Sequence, residues 1–456
     1  MALSLHDTSK ANAGAAAVKC GLLATVAALA VVSIAADAMA GGFAIREQSA
    51  QFQGSSFAGS AAGGGLSSMY WNPAAAGQVV GPGIVSESHF SAIFGQAENT
   101  VETYTGGPLS PVAPFGTLDA ATASAIFGVS PNSEGIASPA LVGASYYAYK
   151  LSPSLTAAMS ITSGFGLTTK PTSPRYLGSE LGQTTKLLTM NAAPTLAYKI
   201  MPGVTIGAGA QIQYAKAKLA LATGAPIGPL SIYKDGEDIA FGATAGVLIE
   251  PAAGTSIGLG WRSQLTHDLE GDFSVSQTPF QRNASVELNL PDIVTLSFRQ
   301  SLAANMRVLG TVEWTNWSRF KNLEITGIVS PIPVNIDANW SDSWYFALGG
   351  EYDMQPGMTL RAGIGYEISP VDDPTKRFTS IPDADRVWLS AGASVQLTDT
   401  MSADFAYTHI FVENGEFDRE TLAGNRITGT SEAQVDIISA SLKTRWGGHA
   451  PLEPMK

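Results

Sequence analysis

Several groups of residues in this chain have types and spacings that chemistry could use. Gly254-Thr255-Ser256-Ile257-Gly258 has the G-x-S-x-G spacing of a nucleophile elbow, which needs a sharp strand-to-helix turn to expose its serine. Here the run lies between two alternating segments that read as strands. His89, His267, His409 and His449 have no sequence neighbours in a metal-ligand or triad arrangement. No catalysis, cofactor or metal is therefore expected. Asp372-Asp373 and Asp383-Ala384-Asp385 have the carboxylate density of a calcium loop, although solvated loop charge explains them as well. Lys170, Arg175, Lys186, Arg262, Arg299 and Arg361 are cations that could hold a carboxylate; pairing of the arginines with Glu313, Glu351 and Glu367 would account for them equally.

Composition narrows what such cations could serve. The chain has 456 residues, 45% hydrophobic and 14% charged, with 26 Lys+Arg against 38 Asp+Glu and a net charge of −12. An acidic chain without basic clusters is a poor partner for nucleic acid, whose phosphates need Lys and Arg. After residue 40 no apolar run approaches the ~20 residues of a membrane-spanning helix. Before it, Lys10 and Lys19 precede the apolar stretch Gly21 to Ala36, which closes in Ala38-Met39-Ala40. This predicts a signal peptide over 1–40. The one cysteine, Cys20, falls inside it, so the exported chain must be held without disulfides.

The remainder alternates. Val204 to Tyr214, Leu360 to Ile368 and Val387 to Leu397 place apolar residues at every second position, the pattern of strands with one greasy face. Short breakers recur at Ser152-Pro153-Ser154, Met201-Pro202-Gly203, Pro251 to Gly254, Ala303 to Asn305, Gln355-Pro356-Gly357 and Thr398 to Thr400, with a longer polar segment between successive ones. Short turns at one end and long loops at the other are the signature of an outer-membrane barrel. The strands read as 83–96, 138–151, 155–169, 184–200, 204–221, 238–252, 255–276, 285–302, 306–327, 339–354, 358–370, 385–399, 401–418 and 431–446, fourteen in all. The fold class is thus all-β: a 14-stranded antiparallel transmembrane β-barrel spanning 79–446.

Energetics assign the faces. A charge facing lipid at midplane costs roughly 2–4 kcal/mol, so Arg262, Arg299, Arg361, Glu313, Glu351 and Glu367 should face the lumen. Trp261, Trp314, Trp344, Tyr352 and Tyr366 fall on the outer face, where aromatic girdles form. Residues 41–78 alternate poorly but carry Phe43, Ile45, Phe52, Phe57, Leu66, Met69, Tyr70 and Trp71, too many apolar anchors for a free tail. They are expected to fold as an N-terminal plug, or hatch. Residues 447–456 read as a periplasmic tail after Trp446. The loop Ala97 to Ser138, with Phe115 and Phe127, is apolar enough to make a first contact with a greasy ligand.

Particular residues carry a resemblance. Gly42-Phe43, Asn72-Pro73-Ala74, Ser160-Ile161-Thr162 with Phe165-Gly166-Leu167, Leu290-Pro291-Asp292, Glu313 to Ser318, and Ile381 to Arg386 leading into Trp388 to Gly392 together resemble the FadL/TodX-type transporters of long-chain fatty acids and hydrocarbons. That resemblance implies a hatch-plugged barrel that binds a hydrophobic small molecule and releases it sideways through the wall into outer-membrane lipid. It implies a gate in which Asn72-Pro73-Ala74 faces an inward kink of the third strand near Gly164-Phe165-Gly166, while the fourteen-strand count leads to the expectation of a monomer. Ligand contacts would come from Phe43, Phe115, Phe127, Lys170, Arg175, Arg262 and Arg361. A general aqueous porin is the alternative, and a loose rather than folded 41–78 segment would favour it. Mass analysis of the protein recovered from outer membranes is expected to place its N-terminus at Gly41; an intact Met1 terminus in the inner membrane would contradict the export reading.

Overall fold

In a computed structural model the described residues are 42–108, 113–173, 175–222, 231–276, 278–329 and 332–447. The expected signal peptide and the expected tail, except Gly447, lie outside them.

Apart from the short loop strand Thr117–Asp119, which pairs with the end of β1, the described residues form fourteen barrel strands: β1 Ile84–Thr105, β2 Ala140–Lys150, β3 Leu155–Thr162 with Gly166–Thr169, β4 Thr184–Met201, β5 Val204–Ala222, β6 Ser231–Ala252 and β7 Thr255–Arg262 with Leu265–Val275. They continue as β8 Gln281–Leu290 with Ile293–Ala303, β9 Met306–Thr315 with Asn322–Val329, β10 Ile332–Asp337 with Ser343–Gln355, β11 Met358–Ile368, β12 Arg386–Thr398, β13 Met401–Val412 with Gly415–Glu420, and β14 Arg426–Trp446. Each pairs antiparallel with the next, and β1 closes on β14 from Ile84 opposite Trp446 to Thr105 opposite Arg426. Closure leaves no open sheet edge in lipid, where an unpaired backbone group has no water to turn to. The fourteen-strand antiparallel barrel expected from the sequence is what the chain builds.

Strand ends differ in one consistent way. β1 runs to Thr105, β6 starts at Ser231 and β14 at Arg426, each extending the expected span at its loop end. Above the bilayer both faces of a strand meet polar surroundings, so the apolar alternation fades while backbone pairing continues. Part of the segment expected as an apolar loop from Ala97 is therefore strand. At the opposite end the turns are tight. Gly203, Gly254 and Gly357 sit there with φ between 78° and 80°, which a residue without Cβ adopts freely.

The outer face carries exposed Phe241, Leu348, Phe405 and Ile438 in its band. Above the band, Trp261 Nε1 donates to Asp292 at 3.2 Å and Trp314 Nε1 to Asp342 at 3.0 Å. Indoles with one apolar body and one satisfied N–H belong at such an interface.

Gly42 to Gln78 lies against the inner wall, almost wholly buried. Its helical turns Ala50–Gln53, Leu66–Tyr70 and Pro73–Gln78 are short, so anchoring comes from side chains and from bonds to the strands. Tyr345 Oη donates to Ser56 O at 2.7 Å, Ser256 Oγ to Ala62 O at 2.7 Å, and Ala61 N to Ser297 Oγ at 3.0 Å. Trp71 packs at right angles to Phe52 and beside Phe57 at centroid distances of 5.7 and 5.9 Å. Inward-facing glycines let backbone meet backbone. A Cβ on Gly260 would lie 1.8 Å from Trp71 O, and one on Gly363 would lie 2.1 Å from Ser55 O.

Several charges inside the ring are paired. Glu351 accepts from Arg299, Arg307 and Arg361 at 3.0, 2.6 and 2.8 Å, and Arg46 bridges Glu313 and Glu367 at 2.5 and 3.1 Å. Gly260→Ala is expected to lift the inner segment from the wall, at a cost of about 1–3 kcal/mol for overpacking. Planar-bilayer conductance should rise while the barrel keeps its heat-modifiable migration; unchanged conductance with an intact barrel would contradict this packing.

Candidate functional site: an apolar chamber beside a broken strand

β3 stops at Thr162 and resumes at Gly166. Below the break its residues Thr156 to Ile161 pair with β2; above it, β2 residues Ala140 to Ala144 pair with β1 and have no β3 partner among the described residues. A gap thus stands in the wall between Ala140–Ala144 and Ser163–Thr169. It is closed on the loop side, where Ala137 bridges Thr169 and Lys170 N donates to Ile136 O at 2.8 Å.

Backbone groups freed by the break do not go unpaired, as burial demands. Ile45 N donates to Gly164 O at 2.8 Å and Gly166 N to Phe43 O at 2.9 Å, flanking an antiparallel bridge between Ala44 and Phe165. Gln48 Nε2 reaches Ser163 O at 2.6 Å, and Thr189 Oγ1 on β4 serves Phe165, accepting from its N–H at 3.2 Å and donating to its carbonyl at 2.5 Å. Residues 43–48 act as a short strand added to the break. They are fastened elsewhere too: Gly42 N donates to Asp383 Oδ2 at 2.9 Å and Tyr146 Oη to Gln48 O at 2.9 Å, while Arg46 lies 3.8 Å over the Tyr345 ring. Burial pushes the Glu47 carboxyl up to about 7, since a charged form there loses its water.

Gly164 and Gly166 are glycine for room. A Cβ on either would come 2.8 Å from Tyr70 Oη or from Ile45 Cδ1 respectively. Asn72-Pro73-Ala74 does not serve this break, contrary to the sequence expectation. Asn72 Nδ2 donates to Ala61 O at 2.8 Å and to Val247 O on β6 at 3.0 Å, its Oδ1 caps Ala74 N, and Pro73 and Ala74 crowd Gly207 on β5. The turn Pro73–Gln78 packs instead on β4, β5 and β6 and on the Leu155–Thr162 part of β3, where inward Gly207 and Gly260 admit the backbone of residues 71–74.

The same 43–48 segment lines a chamber. Phe43 packs edge-on against Trp317 and Phe320 at centroid distances of 4.7 and 5.5 Å, with Trp340 and Phe165 completing the cluster. Next to it lies a cavity of about 100 Å³ lined by Phe43, Leu187, Lys234, Leu269, Leu288 and Phe320 among others. Small-molecule pockets run from ~300 Å³ upward, so an occupant must displace a lining side chain. Phe43 is the lining residue carried by the inner N-terminal segment, whereas Phe320 and Ile381 come from the turn within β9 and the loop before β12. Phe320, Leu323 and Ile381 also line a larger cavity of about 650 Å³ towards the long loops, with Phe378, Lys376 and Arg419 at its walls. Among the described residues Lys234 Nζ bonds the carbonyls of Asp235 and Leu269, at 2.6 and 3.2 Å.

Other expected contacts fall elsewhere. Phe127 is buried against Tyr104 at 5.4 Å within a loop core of its own. Phe115 is 60% exposed at a loop tip, and Lys170 and Arg175 are exposed on the loops; none of the four lines the chamber. Arg361 is bound to Glu351 at the opposite end, beside a cavity of about 690 Å³ near the tight turns. Arg262 is buried below the chamber, 4.5 Å over the Tyr70 ring. The aspartates that suggested calcium have other partners: Asp372 binds Lys376, Asp373 caps a turn at Thr375, and Asp383 binds Arg386. Ser256 ties down Ala62. Sequence reasoning missed Trp317, Phe320, Trp340 and Lys234. Trp317 stood within a motif quoted for the resemblance, and Lys234 continues the inward positions Gly236, Asp238 and Ala240 of β6.

Residues 31–446 match the family described as outer membrane protein transport protein (OMPP1/FadL/TodX). A long-chain fatty acid transport protein of Escherichia coli O6:H1 is 28% identical over 335 residues, covering 64% of this chain and 74% of that one. Among solved structures, a Pseudomonas aeruginosa FadL homologue superposes with a TM-score of 0.77 at 18% identity, over 89% of this chain and 99% of that one. The Ralstonia pickettii toluene transporter TbuX gives 0.59 at 16% identity, over 84% and 94%; at such identities the likeness is one of fold. The relatives are transport proteins, and with a fourteen-strand barrel and a family match over nearly its whole length, this chain belongs to the OMPP1/FadL/TodX family of outer-membrane transporters of hydrophobic compounds.

Proposed function

We propose that the protein takes up long-chain fatty acids, binding them in the apolar chamber and releasing them sideways through the gap between β2 and β3. The observation that carries this reading is the double duty of residues 43–48. Phe43 lines a chamber too small for an occupant, while the backbone of Phe43 and Ile45 fills the break in β3. A chain that enters the chamber displaces Phe43 and with it the bonds that close the wall.

Chemistry supports the substrate class. The fatty acid transport relative is named for such a substrate, and Lys234 is the buried cation of a mostly apolar lining that Lys186 and Lys218 also border, suited to a carboxylate head on a hydrocarbon tail. Entry would use the cavity at the long loops, where Phe320 and Phe378 offer apolar surface beside Lys376 and Arg419. A sideways exit suits such a cargo, since its tail moves from one apolar environment to another and avoids water. The buried inner segment argues against an open aqueous porin and against axial passage, and it would act as the plug of the barrel. The closed ring offers no strand edge to a partner, which supports a monomer. No enzyme activity is assigned.

Ala44 and Phe165 form a non-hydrogen-bonded pair, the closer of the two antiparallel pair types, and one that a disulfide can span. Ala44→Cys with Phe165→Cys is expected to abolish oleate uptake when oxidised and to restore it to the level of the reduced control on adding reductant. Full uptake by the oxidised form would exclude exit at this break.

A further inference from the structure

Arg262, like Lys234, is a buried inward-facing cation whose bonds go to uncharged groups. The other buried arginines near the inner segment, Arg46 and Arg361, bind carboxylates. Arg262, 7% exposed, bonds Gln211 Oε1 through Nη2 and Tyr70 O through Nη1 at 3.2 Å, and lies over the Tyr70 ring. Among the described residues no carboxylate lies within ion-pair distance of it. A buried charge without a counter-ion is costly, so it is kept where a transient partner brings the opposite charge.

A continuous polar chain runs from Arg262 towards the chamber. Gln211 Oε1 also accepts from Asn191 Nδ2 at 3.3 Å, and Asn191 Nδ2 reaches Gln213 Oε1 at 3.3 Å. Gln213 Nε2 meets His267 Nε2 at 3.2 Å, and His267 Nδ1 meets Asp238 Oδ2 at 3.1 Å. His267 and Asp238 alternate inward with Leu269 and Lys234, which line the chamber. Asn191, Gln211, Gln213 and His267 are all at most 2% exposed, and Asn191 Oδ1 has no hydrogen-bond partner among the described residues. At the far end, Tyr70 carries Arg262 on its ring while its hydroxyl occupies the space beside Gly164 at the break.

We propose that this inner face of β4 to β7 is a head-group track: the carboxylate of an acidic amphiphile, first held at Lys234, moves along Asn191 and Gln213 to Arg262, which brings it beside the break in β3 while the tail leads through the apolar side. The proposal rests on the uptake of carboxylated chains argued above. It makes Arg262 and Asn191 determinants of specificity for acids over neutral molecules of the same shape.

Initial uptake rates of oleate and of methyl oleate, measured in cells at equal protein abundance, separate the two roles. Arg262→Gln is expected to lower the ratio of oleate to methyl oleate uptake about tenfold, the loss of a charge-assisted hydrogen bond, and Arg262→Lys to recover part of it. Asn191→Leu, which keeps the arginine, should shift the ratio in the same direction. If both substrates fall together, Arg262 only holds the inner segment in place and the track is refuted; an unchanged ratio in all three variants refutes it as well. Failure of the unaltered protein to take up either compound would instead overturn the transport reading on which the proposal stands.

Discussion

Two backbone hydrogen bonds, Ile45 N to Gly164 O and Gly166 N to Phe43 O, decide how this barrel is organised. Within a membrane a strand can break only where something else satisfies its amides and carbonyls. Here that partner is a segment of the same chain that is not part of the wall. The bonds join the inner segment to the broken strand, and the proposed uptake route rests on the two changing together.

The rest of the interior makes this coupling possible. Arg46, one residue beyond Ile45, ties the segment to Glu313 on β9 and Glu367 on β11, while Asp383 in the loop before β12 accepts from Gly42 N. Residues 43–48 are thus stretched between opposite walls, with Phe43 projecting into an aromatic cluster. The remainder of the inner segment is fixed more firmly, because backbone lies directly on backbone at Gly260 and Gly363. In the proposed gating, opening involves residues 43–48, which two backbone hydrogen bonds and side-chain contacts hold and which are the part from which low-energy openings would be drawn.

The barrel was legible because lipid and lumen impose opposite demands on alternate residues, and a period of two survives in any single sequence. The fourteen strands, the inward arginines and glutamates and the outward tryptophans follow from that rule alone. Contacts between distant elements leave no such trace. Gly164 and Gly166 marked the break, but whether residues 43–48 or 72–74 would fill it depended on where inward glycines admit a backbone. Phe127 read as a ligand contact because an apolar loop that forms its own core looks the same in sequence as one waiting for a ligand. Lys234 was hidden in the segment read as a loop, since β6 continues above the bilayer where apolar alternation no longer marks it. Arg262 was visible as an inward cation; that it has no carboxylate, unlike Arg361, is a property of the assembled ring.

Amide hydrogen exchange at Ile45 and Gly166 tests the coupling of chamber and wall most directly. Without ligand both amides should be protected, as members of a short sheet. With saturating oleate they should exchange markedly faster, while amides in the middle of β5 and β6 keep their protection. Unchanged or stronger protection at both positions in protein that binds and transports oleate would contradict the account, because it would mean that the chamber fills without releasing the segment that closes the wall.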